Sequence, residues 1–177
     1  GNLIIDYLYD WFLPTSVFGF SELQGYPITS VGAKRNGKWG LIDKQNKQLT
    51  PFIYDFIAQD LELPFSWITC SKKLGMLDQK GNVIIPCKYD NLDYISDERY
   101  PQRLTGLCKV YVNDLEGILD IRQNESALVI PTNYDEIEFL SDDRMWFIVN
   151  KSDKYGIIDL SNNTIVPIKF DDLKYIS

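Results

Sequence analysis

The sequence predicts an all-β fold of tandem antiparallel three-stranded or hairpin repeats, stacked in an elongated twisted array. Three observations predict it. One motif returns along the whole chain at a fixed phase. Short strand-like runs alternate with turn dipeptides, of which Asn36-Gly37 is the clearest. No stretch carries the apolar period of a long helix. Propeller-like closure is the alternative, but units of unequal length and a partial copy fit closure poorly.

The motif begins at Gly40, Gly75, Gly117 and Gly156, each followed three residues later by Asp43, Asp78, Asp120 and Asp159. An apolar run then leads to Pro51, Pro86, Pro131 and Pro167. Each proline is followed by Tyr54-Asp55, Tyr89-Asp90, Tyr134-Asp135 or Phe170-Asp171, then by Ile57, Leu92, Ile137 or Leu173. The third copy holds three extra residues, placed within Arg122–Ala127. A partial copy opens the chain: Ile4-Ile5-Asp6-Tyr7-Leu8-Tyr9-Asp10 aligns with Ile84–Asp90, with Asp6 in the proline slot. The organisation is one domain, 1–177, with the partial repeat at 1–10 and repeats at about 28–57, 67–94, 107–139 and 146–177.

Within each unit a first strand leads into a tight turn: Ile28–Arg35, Trp67–Ser71, Leu107–Val112 and Trp146–Asn150. Asn36-Gly37 reads most clearly as its turn, since a type I′ turn needs φ > 0 at both central residues, and Asn113-Asp114 and Ser152-Asp153 are weaker turn signals. The second strand carries the glycine, whose bare Cα lets a neighbouring backbone or ring approach closely. The third is short and apolar, reading as buried on both faces, and the proline ends it. The Tyr-Asp aspartate then accepts backbone N–H groups in a compact turn. Asp90–Tyr94 could close a single helical turn.

Lys38-Trp39-Gly40-Leu41-Ile42-Asp43, followed by Pro51 and Tyr54-Asp55, resembles the WG (KWG) repeat family, and the resemblance covers essentially the whole chain. Leu74, Glu116 and Tyr155 replace the tryptophan in the other copies. The resemblance implies a β-hairpin repeat module of bacterial proteins, and it carries over no catalytic residue.

Composition excludes several chemistries. Histidine is absent, which removes histidine triads, histidine metal ligands and histidine acid–base catalysis. The net charge of −7 argues against nucleic acid and against an anionic membrane surface. No apolar run is long enough for a spanning helix, so no membrane insertion is expected. The cysteines, Cys70, Cys87 and Cys108, lack CxxC spacing and read as buried free thiols. Aspartates repeated in every copy are scaffold, since a catalytic carboxylate pair occurs once. No cofactor, no metal and no enzymatic activity are expected.

The chain starts with glycine in mid-repeat, which reads as a processed or truncated product. An export signal could have been removed, so a bacterial cytoplasm and a cell envelope both stay open. Connectors alternate in length: those within 11–39 and 91–116 are long. Insertions that leave a scaffold undisturbed are where binding usually resides. The candidate partner-binding residues are therefore Trp11, Phe18, Phe20, Tyr26, Arg99, Tyr100 and Arg103. The function expected is a non-catalytic scaffold for protein–protein interaction. The alternative is carbohydrate or cell-envelope binding through exposed aromatics, with a polysaccharide as ligand.

Overall fold

A computed structural model of the chain describes residues 9–12, 22–23, 26–27, 29–59, 65–97, 100–122, 126–141 and 144–174. Its contacts divide into two compact units, Gly1–Lys88 and Tyr89–Ser177. Among the described residues every regular element is a strand.

The first unit holds β1 (Trp11–Phe12), β2 (Glu22–Leu23), β3 (Tyr26–Pro27), β4 (Ser30–Arg35), β5 (Lys38–Asp43), β6 (Phe56–Gln59), β7 (Phe65–Cys70), β8 (Lys73–Asp78) and β9 (Val83–Tyr89). β1-β4-β5 form one sheet, β6-β7-β8-β9 a second, and β2-β3 a separate pair. Beside β5, the third strand of that copy is reduced to the bridges Trp39↔Tyr54 and Ile42↔Gln48.

The second unit holds β10 (Asn91–Asp97), β11 (Tyr100–Val112), β12 (Leu115–Asp120), β13 (Ala127–Tyr134), β14 (Glu136–Ser141), β15 (Trp146–Lys151), β16 (Lys154–Asp159) and β17 (Thr164–Phe170). They form two antiparallel sheets, β10-β11-β12-β13 and β14-β15-β16-β17, each in sequence order.

The all-β repeat architecture expected from the motif is what the chain adopts, with one strand more per sheet. The extra strand is the segment after each Tyr-Asp pair. Of Asp90–Tyr94, expected as a helical turn, Asn91–Tyr94 belong to β10 and pair with β11. Its alternating Leu92 and Tyr94 suit a pleated surface, and the waiting strand of the next hairpin decides the outcome. Sheet and sequence repeat are thus offset by one strand: the tail of each copy completes the sheet of the next. The described part of the long connector within 91–116 is likewise largely strand: β10 pairs with β11, bulged near Tyr94 and Ser96.

Four tight turns share one geometry. Asn36-Gly37, Ser71-Lys72, Asn113-Asp114 and Ser152-Asp153 all have φ between 51° and 76°, the paired left-handed residues of a type I′ turn. Ser71-Lys72 lacks the Asn, Asp or Gly that marks such a turn in sequence.

The prolines do not end their strands. β9, β13 and β17 run through Pro86, Pro131 and Pro167 to the aromatic. These are outer strands, and the pairing of β13 and β17 shifts register opposite the motif glycine, so a missing N–H is tolerated there. The glycine is required at this shift. A Cβ on Gly75 would lie 2.5 Å from the Ile85 carbonyl oxygen, and on Gly117 2.7 Å from that of Ile130. Being outermost, the third strands are buried on one face only, and Val83, Leu128 and Ile165 are exposed.

Each unit has its core between its two larger sheets. In the first unit Trp39, Leu41 and Tyr54 meet Ile57, Ile68 and Leu77. In the second Leu107, Ile118, Ile130 and Tyr134 meet Ile137, Phe147, Val149 and Ile158. The expectation of three free thiols is corrected. Cys70 and Cys87 lie 5.8 Å apart at Cα and form a disulfide, while Cys108 stays free and buried. Partners in separate strands, in a repeat scaffold without Cys spacing motifs, become visible only once the strands are in place.

Candidate binding surface

The two repeated aspartates are engaged in backbone hydrogen bonding. Oδ1 of Asp43 accepts the N–H groups of Gln45 (2.9 Å) and Lys47 (2.8 Å). Asp78 accepts those of Lys80 and Asn82, both at 2.8 Å, and Asp159 accepts that of Asn163 at 2.8 Å. These bonds close the second turn of the copy, an Asx-type arrangement. In the third copy, where the insertion falls, Asp120 instead binds the Arg122 guanidinium and N–H.

The Tyr-Asp aspartate acts one copy further on. Its carboxylate accepts an N–H from the tight turn of the following hairpin: Asp10 from Gly37 (3.2 Å), Asp55 from Ser71 (2.6 Å), Asp90 from Asn113 (3.0 Å) and Asp135 from Ser152 (2.6 Å). Its own N–H reaches the neighbouring strand, as in Asp55 to the Thr69 carbonyl at 2.8 Å. The Lys38 ammonium and the Ser71 N–H hold the Asp55 carboxyl below its ordinary value. Hydrogen bonds from Asn163 do the same for Asp159.

One cross-strand row varies between copies while the rest of the scaffold repeats. It runs through the residue after the Tyr-Asp pair, a residue of the first hairpin strand, and the slot before the motif glycine. The rows are Trp11–Lys34–Trp39, Phe56–Thr69–Leu74, Asn91–Tyr111–Glu116 and Glu136–Asn150–Tyr155. Opposed residues on neighbouring strands touch on one face of a sheet. The outermost member is exposed in every row.

The first row is the richest in recognition chemistry. Trp11 is 62% exposed, whereas Trp39 is buried. Lys34 Nζ lies 5.9 Å from the Trp39 ring centroid, a cation–π arrangement. With Asp10 and Gly37 these three side chains line an open cleft of about 400 Å³. Phe56 of the second row stands edge-on to Trp39 at 6.0 Å between centroids and is itself 49% exposed. Beside it, Arg35 lies over the Phe52 ring at 4.1 Å, and Tyr9 stacks on Phe52 from 5.6 Å. Trp and Arg are the side chains that most often anchor partners.

The third row has a different character. Tyr111 donates its hydroxyl proton to Asp93 at 2.7 Å, and burial followed by that carboxylate pushes the phenol well above its ordinary value. Burial likewise pushes the Cys108 thiol up to about 12, so this cysteine is not a thiolate near neutrality. Among the described residues no cluster of three or more Cys, Asp or Glu side chains could hold a metal ion. Nor is any helix there long and apolar enough to cross a membrane.

Of the residues singled out from sequence, Trp11 heads the first row. Phe18, Phe20 and Arg99 lie outside the described residues. Tyr26 falls in β3, and Tyr100 and Arg103 in β11, each placed by its backbone. The structure adds Asp10, Lys34 and Phe56. Phe56 was findable, because it follows Asp55 as Trp11 follows Asp10. Trp39, expected in the core, is buried there and still lends an edge to the cleft.

A profile described as the WG containing repeat matches residues 39–59, 75–107, 127–155 and 155–177. The chain belongs to the WG-repeat family. No curated protein sequence matches it. Among solved structures the chain is similar to the N-terminal domain of Nup159, at 10% identity and a TM-score of 0.34. That alignment covers 80% of this chain and 41% of the other.

Proposed function

We propose that this WG-repeat chain is a non-catalytic scaffold that binds a protein partner through the aromatic row of its first unit. The observation that carries the reading is the division of labour along the repeat. The conserved-by-repetition carboxylates are occupied by backbone N–H groups, while the variable row presents Trp11 and Phe56 to solvent in equivalent positions of consecutive copies. Two large exposed aromatics flanked by Lys34 and Arg35 suit a protein epitope with an acidic rim.

The test is affinity capture from a lysate of the source organism with the native chain, Trp11→Ala and Phe56→Ala side by side. Both substitutions remove exposed rings and leave the core in place. A protein held by the native chain and lost with either variant supports the reading. Equal retention by all three overturns this placement of the surface.

Carbohydrate binding is the second reading, and the cleft supports it. Trp11 offers a ring face, and Asp10 an oxygen beside it, the pairing used to stack a sugar and accept its hydroxyls. Quenching or shift of tryptophan fluorescence on titration with oligosaccharides, absent in Trp11→Ala, would favour it over a protein partner.

A further inference from the structure

The motif glycine of each copy is crossed by the residue that follows the proline. Phe52 lies over Gly40, Cys87 over Gly75, Thr132 over Gly117 and Ile168 over Gly156. In the first copy Phe52 meets Arg35, the residue before the tight turn, whose guanidinium lies 4.1 Å from the ring centroid. In the second copy the same two positions are Cys87 and Cys70, and the contact is covalent. The bond joins β9, the outermost strand of its sheet, to β7 on the far side of β8.

The covalent form belongs to this copy alone. The third and fourth copies carry Val112 with Thr132 and Lys151 with Ile168 at these positions. Their outer strands β13 and β17 pair without a disulfide, so the sheet does not need the bond in order to form. Cys70 and Cys87 are partly exposed, where a small thiol can reach them. They pack against the cluster of Trp39, Tyr54, Ile57 and Ile68. Thr69, the neighbour of Cys70, pairs with Phe56, and Phe56 stands edge-on to Trp39. Cys108 is buried and held protonated, so it does not compete for exchange. A sequence separation of 17 keeps the two thiols near each other after opening, which favours closure again.

We propose that Cys70–Cys87 is a thiol–disulfide exchange site for a low-molecular-weight thiol, and that its opening releases β9 and loosens the core behind Phe56. A thiolate of the small thiol attacks one sulfur, the S–S bond breaks, and the other cysteine leaves as a thiolate that takes up a proton. A second small thiol resolves the mixed disulfide. Two small thiols are thereby oxidised to one disulfide while Cys70 and Cys87 are reduced, and the oxidised small molecule drives the reverse. What remains over Gly75 is a pair of small side chains, where the first copy has a ring under a guanidinium. The outer strand then depends on its pairing with β8 alone. The bearing of this on partner binding rests on the reading of Phe56 as a contact residue. The exchange itself does not.

The probe is glutathione. The native chain is equilibrated at about pH 7 with mixtures of its reduced and oxidised forms, and free thiols are trapped by alkylation. Cys70 and Cys87 should open together and reversibly as reduced glutathione comes into excess, while circular dichroism keeps its native β signal. Opening only after urea has unfolded the chain would make the bond a plain structural brace and overturn the proposal. Free Cys70 and Cys87 in oxidised glutathione alone would overturn it too. Amide exchange is the second readout. On reduction, exchange within Val83–Lys88 should rise at least about tenfold relative to exchange at Ile68 and Leu77. An unchanged ratio overturns the release of β9. Cys70→Ser combined with Cys87→Ser should show the reduced pattern in every mixture, and the closed pattern in that variant would likewise overturn it. Partner capture lost with Phe56→Ala reports on the contact surface alone, so either reading can fail without the other.

Discussion

Glu116 stands where the first copy has Trp39, and its Oε2 accepts the Ile137 N–H at 2.6 Å. The same oxygen lies 2.9 Å from Lys109 Nζ. The first copy covers this slot with a ring packed on Ile57, and the third covers it with a buried carboxylate, paired to the half-buried Lys109, that ties β12 to the start of β14. Both solutions serve the junction between consecutive sheets. The polar one depends on every partner being present, because a buried charge left alone is costly. Glu116→Ala should destabilise the chain by about 3 kcal/mol, leaving both an ammonium and an N–H without an acceptor. Glu116→Gln, which keeps the acceptor for Ile137, should cost about 1 kcal/mol. Urea unfolding of both variants checks the order, and equal losses would contradict it.

The motif glycines answer to different neighbours. A Cβ on Gly75 meets the Ile85 carbonyl oxygen at 2.5 Å and the Cys87 nitrogen at 2.9 Å, backbone atoms of β9 that cannot turn aside. On Gly40 it meets the Pro51 oxygen at 3.1 Å and the Phe52 ring at 3.2 Å. That ring can rotate, and the bridged third strand there is shorter. Gly75→Ala should therefore cost about 2 kcal/mol through overpacking. Gly40→Ala should come closer to neutral, since alanine also lowers the backbone entropy of the unfolded chain. Thermal melts of the two variants distinguish the cases.

The cysteines predict a thiol count. With Cys70–Cys87 joined and Cys108 buried, the folded protein should give no rapid reaction with a thiol reagent near pH 8. Denaturation without reductant should expose one thiol, and denaturation after reduction three. Reduction alone should lower stability by about 3 kcal/mol, the usual effect of opening a loop of this length. Three thiols in the unreduced, denatured protein would contradict the pairing.

Much of the scaffold is legible in the sequence, because it repeats. Four aligned copies of Gly40, Asp43, Pro51 and Tyr54 identified the hairpin and assigned the aspartates to backbone bonds. What escaped depends on which copy a strand pairs with. Asp90–Tyr94 looks like a helical turn beside its own copy, and from Asn91 it becomes a strand beside the next. Pro86 looks like a terminator until β9 is known to be outermost. Cys70 and Cys87 become partners once β7 and β9 share a sheet. The Trp11 row is half legible: Trp11 stands out in the sequence as a candidate, but its exposure and its neighbours Lys34 and Trp39 follow from register, which local composition does not encode.

Acid should weaken the chain through carboxylates that the fold holds ionised. Asp55, Asp120 and Asp159 all titrate below the ordinary aspartate value, drawn down first by hydrogen bonds from Lys38, Arg122 and Asn163 respectively. For a depressed carboxyl the folded state binds protons less readily than the unfolded chain. Its stabilisation is thus fully present above the unfolded value of about 3.9 and disappears as pH falls through the folded one. The melting temperature should be nearly level from about pH 8 to 5, then fall steadily below about pH 4. Asp55→Asn supplies the control. It removes one such carboxylate and its Lys38 pair, so it should melt below the native chain at pH 7 and converge with it in acid. A gap of constant size down to pH 3 would mean that the Asp55 charge contributes nothing to the clamp on Ser71, and that the turn is held by geometry alone.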